Sequence, residues 1–206
     1  MPQTKKIIQT PEWRTEALDK FMAFLGRFGT LPAEVRAFLL PNLRIEAFAK
    51  KTVFWPRGLR SEYIYFVASG TVRSTYLLPD GEEVTNWLVG TGEIATIPIS
   101  LFTGALSDDD LQAVTDAVVI KIPYQLLNQN FEQMPYLNRI RVAVMEQYIL
   151  RYDERCRFLR MRPAQAQLDT FQRLYREIFN TVPLQMVASY LGISKTTLAR
   201  LRQYQQ

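Results

Sequence analysis

Near the C-terminal end the stretch VPLQMVASYLGISKTTLARLRQ, residues 182–203, brings Ser194, Lys195, Thr196, Thr197, Arg200 and Gln203 into one short segment. Ammonium, guanidinium, hydroxyl and carboxamide groups at this density suit hydrogen bonding to phosphate oxygens and to base edges in a DNA groove. Ile193, Leu198 and Leu201 fall between them at helical spacing, so the polar groups share the opposite face. Ala188, four residues before Gly192, allows two helices to approach closely, and Gly192 can take the positive φ of a tight turn. Val187 and Leu191 then face inward from the first helix, and Pro183 suits its opening turn. Ser194 reads as the N-cap of the second helix, which presents Lys195, Thr196, Thr197 and Arg200 as the leading DNA contacts. An αα-hairpin that binds nothing would show the same spacing.

Other chemistries are poorly supplied. The chain has 206 residues and no histidine, which removes Ser-His-Asp and Cys-His nucleophiles, His-based metal sites and a histidine-dependent barrel enzyme. The single cysteine, Cys156, forms no intramolecular disulfide and cannot hold a zinc or iron–sulfur site by itself. A buried packing role is expected for it. No catalytic residues, metal or cofactor are assigned. Lys5 and Lys6 precede no sustained apolar run, and no segment reaches membrane-spanning length, so a cytoplasmic protein is expected. Residues 1–137 carry 13 Lys/Arg against 15 Asp/Glu, a net −2, and residues 138–206 carry 12 against 5, a net +7. A basic C-terminal third favours a polyanionic partner, although a solvated arginine-rich surface has the same composition.

The elements that must position these groups follow from periodicity. Trp13, Leu18, Phe21, Phe24, Leu25 and Phe28 predict a helix over 12–28 ending at Gly29, and a short helical piece follows around 32–40. From Leu43 the period shortens. YIYFVASG, TVRSTYLL, EEVTNWLV, EIATIPI and AVVIKI read as strands, with a hairpin turn at Pro79-Asp80-Gly81. They predict a small antiparallel barrel or jelly roll. A short helix over 124–131 precedes a long amphipathic helix over 136–160, with Leu137, Ile140, Val144, Tyr148 and Tyr152 along one stripe. That stripe either pairs with a second copy, giving a homodimer, or packs on the chain's own barrel. The fold class is α+β: residues 1–135 form a β-barrel domain with N-terminal helices, 136–160 a dimerisation helix, and 161–206 an all-α helix-turn-helix domain. Tyr63, Tyr65, Tyr76 and Trp87 either line an effector pocket in the barrel or pack its core.

The order barrel, long helix, helix-turn-helix resembles the Crp/Fnr family of bacterial transcriptional regulators, over nearly the whole chain. Gly192, Ser194 and Arg200 match that family's recognition motif, Lys195 stands in for its arginine, and Thr196 replaces its glutamate. The replacement implies a different operator sequence. The resemblance also implies a cyclic-nucleotide-binding type of barrel, whose phosphate cassette corresponds to GEIATIPISLFTGALSDDDLQAV. Gly92 and Glu93 open it, but Ser107 and Asp108 stand where the family has Arg followed by Ser or Thr, with Asp109 and Asp110 after them. Three carboxylates without a nearby arginine repel a phosphodiester, so cyclic AMP is not the expected ligand and any effector is unknown. The implied partners are double-stranded DNA, a second copy of the chain and RNA polymerase. The expected function is a dimeric, sequence-specific transcriptional regulator and not an enzyme. The alternative is a small-molecule sensor that acts through protein partners, with a degenerate DNA-binding domain.

Overall fold

A computed structural model describes residues 11–203; Lys5, Lys6 and the chain after Gln203 lie outside the described residues. The first helix, α1 (Pro11–Gly26), buries Ala17, Phe21, Phe24 and Leu25, the apolar face its spacing predicts. It stops three residues before Gly29, in a tight turn closed by Arg27 N–H to Phe24 C=O. Helix α2 (Ala33–Leu39) and a 3-10 turn at Leu40–Asn42 lead into the strands.

Eight strands form two antiparallel four-stranded sheets. The first holds β1 (Arg44–Phe48), β8 (Ala117–Pro123), β3 (Tyr63–Ser69) and β6 (Ile94–Ala95) in that spatial order. The second holds β2 (Val53–Trp55), β7 (Asp110–Ala113), β4 (Val72–Leu77) and β5 (Glu83–Val89). The β4–β5 hairpin turns at Asp80-Gly81: Gly81 has φ +87°, Leu78 N–H donates to Glu82 C=O at 2.9 Å, and Asp80 Oδ1 accepts from Glu82 N–H at 3.0 Å. Reading EIATIPI as a whole strand requires correction. Only Ile94 and Ala95 pair, because Pro98 begins a helix, α3 (Pro98–Thr103), that Gly104 closes at φ +72°.

Helix α4 (Tyr124–Asn130) precedes the long α5 (Pro135–Arg160). Leu137 and Ile140 are buried against α1, Val144 packs beside them, and Tyr148 lies on the ring of Trp87 at 5.1 Å. These four were expected to face a second copy, and the chain's own barrel covers them instead. Only Tyr152 of that set remains open, 42% exposed while stacking on Trp87 at 4.8 Å. A different stripe is left open to solvent: Val142, Met145, Ile149, Tyr152, Cys156 and Leu159 are all exposed and alternate three and four residues apart. Cys156 belongs to this open stripe, so its expected burial is also corrected.

The C-terminal helices are α6 (Ala164–Leu174), α7 (Arg176–Thr181), α8 (Leu184–Tyr190) and α9 (Lys195–Gln203). Their core residues Phe171, Ile178, Val187, Tyr190 and Leu198 run without a break into the barrel core through Trp87, Leu88 and Val89. Burial of this area contributes about 25 cal/mol per Å2 and holds α8 against β5.

Candidate nucleic-acid interface

Helices α8 and α9 meet through Gly192, whose φ of +68° turns the chain while Ile193 N–H donates to Ala188 C=O at 2.8 Å. A Cβ at Gly192 would stand 3.0 Å from the movable Leu159 Cδ2, so the positive φ is what demands glycine. Ser194 Oγ accepts from Thr197 N–H at 3.1 Å, capping α9 and satisfying one of its free amides. Val187, Ala188, Leu191, Ile193 and Leu198 are buried. This inward set fixes which side of α9 faces solvent.

On that outer side Lys195, Thr196, Ala199 and Arg200 are exposed. Thr197 is half-buried and its hydroxyl lies 2.9 Å from Ser194 Oγ, at the cap of α9. Gln203 is the last residue of α9, with its side chain outside the described residues. Arg200 enters no ion pair among the described residues, whereas Lys195 Nζ lies 2.9 Å from Glu82 Oε1 on the β4–β5 hairpin. This hydrogen bond raises the Lys195 ammonium pKa above its ordinary value. A cationic and hydroxylated helix end of this kind can grip phosphates and reach into a major groove.

Side chains that sequence reasoning did not single out carry the frame behind α9. Arg151 of α5 donates to Glu93 Oε1 at 2.7 Å and to Leu88 C=O at 3.0 Å, between the rings of Trp87 and Tyr175. Arg155, one turn on, donates to Asn86 Oδ1 at 3.2 Å and lies over the ring of Tyr190. Thr85 N–H donates to Ser189 Oγ at 2.9 Å. Barrel, long helix and C-terminal helices thus share one set of contacts. The i,i+4 spacing of two arginines on α5 is the only hint of this in the sequence.

The proposed barrel pocket does not assemble. Tyr65 is 1% exposed and packs edge-on against Phe54, with burial pushing its phenol pKa well up. Tyr63 holds Lys121 Nζ over its ring at 3.9 Å, Tyr76 is half-buried, and Trp87 faces α5. Glu93 is taken by Arg151 and by Gly90 N–H at 2.7 Å, while Gly92, at φ +83°, turns the chain into it. Ser107 is buried and donates to Asp109 C=O, Asp108 is exposed, and Asp109 accepts from Asn86. Tyr65 and Trp87 belong to the packed core. An arginine does lie near the carboxylates, a second correction: Arg57 binds Asp110 through its backbone N–H at 2.6 Å and its guanidinium Nε at 3.0 Å. The loop before β3 supplies it, from 53 residues away in sequence.

The sequence pattern of the cyclic nucleotide-binding domain matches residues 45–134, which take in α4 and all of the two sheets but Arg44. A global nitrogen regulator of Synechococcus elongatus is 26% identical over 186 residues, spanning 84% of this chain and 82% of that protein. A transcriptional regulator of the Crp/Fnr family from Eubacterium rectale matches in structure with a TM-score of 0.67 at 14% identity, covering 95% of this chain and 86% of that one. FixK2 from Bradyrhizobium japonicum matches with a TM-score of 0.64 at 20% identity, over 78% of this chain and 83% of that one. The likeness therefore includes the C-terminal helices as well as the barrel.

Proposed function

From the premise that the chain belongs to the Crp/Fnr family of transcriptional regulators, we propose that it acts in the cytoplasm as a homodimer presenting two α9 helices to double-stranded DNA. The observation that carries this reading is the outward face of α9, where Lys195, Thr196 and Arg200 stand exposed on a helix whose other side is locked into the core. Ser194 and Lys195 grip phosphates, and Thr196 and Arg200 reach base edges. A two-fold axis along the open stripe of α5 pairs the α9 helices across about one turn of DNA and selects a palindromic site. The units 1–135, 136–160 and 161–206 then serve as sensor frame, dimer helix and reader. RNA polymerase is the partner such a bound regulator meets at a promoter. The chain is a regulator and not an enzyme, like the relatives it matches.

Cyclic AMP is not the ligand in this reading. The Arg57 guanidinium is engaged by Asp110, and Glu83 and Asp109 add negative charge near it. Isothermal titration with cyclic AMP should show no saturable micromolar binding.

The decisive experiment is fluorescence anisotropy with duplexes drawn from upstream of the gene, over a salt series, comparing wild type with Lys195→Ala and Arg200→Ala. Preference for one duplex, steep weakening with salt and a loss of about 1–3 kcal/mol in a base-contacting variant support the reader. Equal affinity for every duplex, unchanged in both variants, would replace it with a sensor that works through protein partners.

A further inference from the structure

An apolar cavity lies outside the barrel. On the outer face of the first sheet, a cavity of about 340 Å3 opens to solvent on one side between α1, α3, α4 and the first half of α5. Its walls include Phe24, Ile64, Leu101, Ile122, Val144 and Ile149, and almost no polar atom contributes to its surface. None of the aromatic residues expected to form an effector pocket lines it. Its size falls at the small end of sites that take low-molecular-weight ligands.

Thr96 and Arg141 border this apolar space, as do the tyrosines Tyr124 and Tyr148. Thr96 Oγ1 is buried without any hydrogen-bond partner, although hydroxyls shielded from water are ordinarily paired. Arg141 is half-buried, lies over the ring of Phe131 at 4.5 Å, and pairs with no carboxylate among the described residues. An interior with so little polar surface cannot hold a charge, so an ionised group must stay at the edge. An apolar body inside with an anionic head left at Arg141 satisfies both demands.

We propose that this cavity is an effector site for a small amphipathic monocarboxylate, whose hydrocarbon body fills the space and whose carboxylate pairs with Arg141. Ile149 and Met145 line the cavity and also belong to the open stripe of α5, so the occupant touches the side chains a second copy would meet. A ligand that binds the two arrangements of that stripe with different affinity shifts their populations. Binding itself requires no DNA, so the site stands or falls separately from the reader.

The test is isothermal titration of decanoate, below its micellar range, into the full chain, with decanol as a probe of the same body without the charge. Expected are one saturable site for decanoate, at least tenfold weaker binding of decanol, a similar loss in Arg141→Gln, and abolition in Val144→Trp, which fills the space. Because Val144→Trp can disturb packing, its melting curve accompanies it, and if it unfolds the result rests on Arg141→Gln, changed at a partly exposed position. Absence of saturable binding, equal binding of decanol, or full affinity in Arg141→Gln would overturn the proposal.

Discussion

Lys195 Nζ lies 2.9 Å from Glu82 Oε1, so the first residue of α9 is tied to the β4–β5 hairpin of its own chain. The side chain proposed to meet DNA is thereby engaged by a carboxylate that DNA would have to displace. Asp80 adds a second negative charge on the same turn. The contact is solvent-exposed and salt-screened, so it tunes affinity and does not fix the fold.

Glu82→Gln should therefore tighten DNA binding a few fold at constant salt, and the gain should vanish in Lys195→Ala, where no ammonium remains to be released. The Lys195 pKa is raised, so the ammonium stays protonated and the tie persists as pH rises from 7 to 9; the contact is lost only above the ordinary lysine range. Anisotropy titrations of wild type, the two single variants and the double variant at pH 7 and 9 decide the matter. Equal affinity of Glu82→Gln and wild type would remove the hairpin from the account.

Much of this arrangement was legible because it is local. Asp80-Gly81 announces its hairpin, and Ala188, Gly192 and Ser194 announce the crossing, turn and cap of α8 and α9 within a single short stretch. What the pattern could not show is which of two apolar stripes on α5 the barrel would cover. Leu137, Ile140, Val144 and Tyr148 offer helical spacing, and so do Val142, Met145, Ile149 and Tyr152; the choice depends on where α1 and Trp87 stand. Contacts such as Thr85 to Ser189, 104 residues apart, and Arg57 to Asp110 arise from chain topology and leave no periodic trace. The barrel aromatics failed for a related reason, since Tyr65 and Trp87 have the same composition whether they line a pocket or fill it.

Arg151 should carry far more stability than its exposed neighbours. Its side chain is 19% exposed, and truncation removes the donor to Glu93 Oε1 and to Leu88 C=O. Arg151→Ala should cost about 2 kcal/mol, lowering Tm by about 4–8 °C. Arg157→Ala, which breaks only a surface pair with Asp153, should leave Tm almost unchanged. Equal melting temperatures for the two variants would contradict the coupling of α5 to the barrel.

The turn between α8 and α9 makes a conformational demand that can be separated from the cap. Gly192→Ala meets both a positive φ and Leu159 at 3.0 Å, and should cost about 1–2 kcal/mol. Ser194→Ala removes only the acceptor for Thr197 N–H and should cost about 1 kcal/mol. Thermal denaturation ranks the two. A Gly192→Ala protein as stable as wild type would show that the turn relaxes without its glycine.

The open stripe of α5 predicts where two chains meet. Ile149 and Leu150 are equally exposed, each at 68%, yet only Ile149 falls in the alternating three-and-four series with Val142, Met145, Tyr152, Cys156 and Leu159. In the proposed homodimer that series is the seam of a two-stranded coiled coil, where a charge would stay desolvated and unpaired. Wild type should scatter light at twice 23.9 kDa, Leu150→Glu should do the same, and Ile149→Glu should fall to the single-chain mass with its melting temperature largely kept. In a parallel pairing the two Cys156 side chains share one layer, so a short bis-maleimide should link the chains in wild type and in Leu150→Glu but not in Ile149→Glu. If Leu150→Glu dissociates and Ile149→Glu does not, the chains pair through another face of the helix, and the spacing of the two α9 helices on DNA must be drawn again from that face.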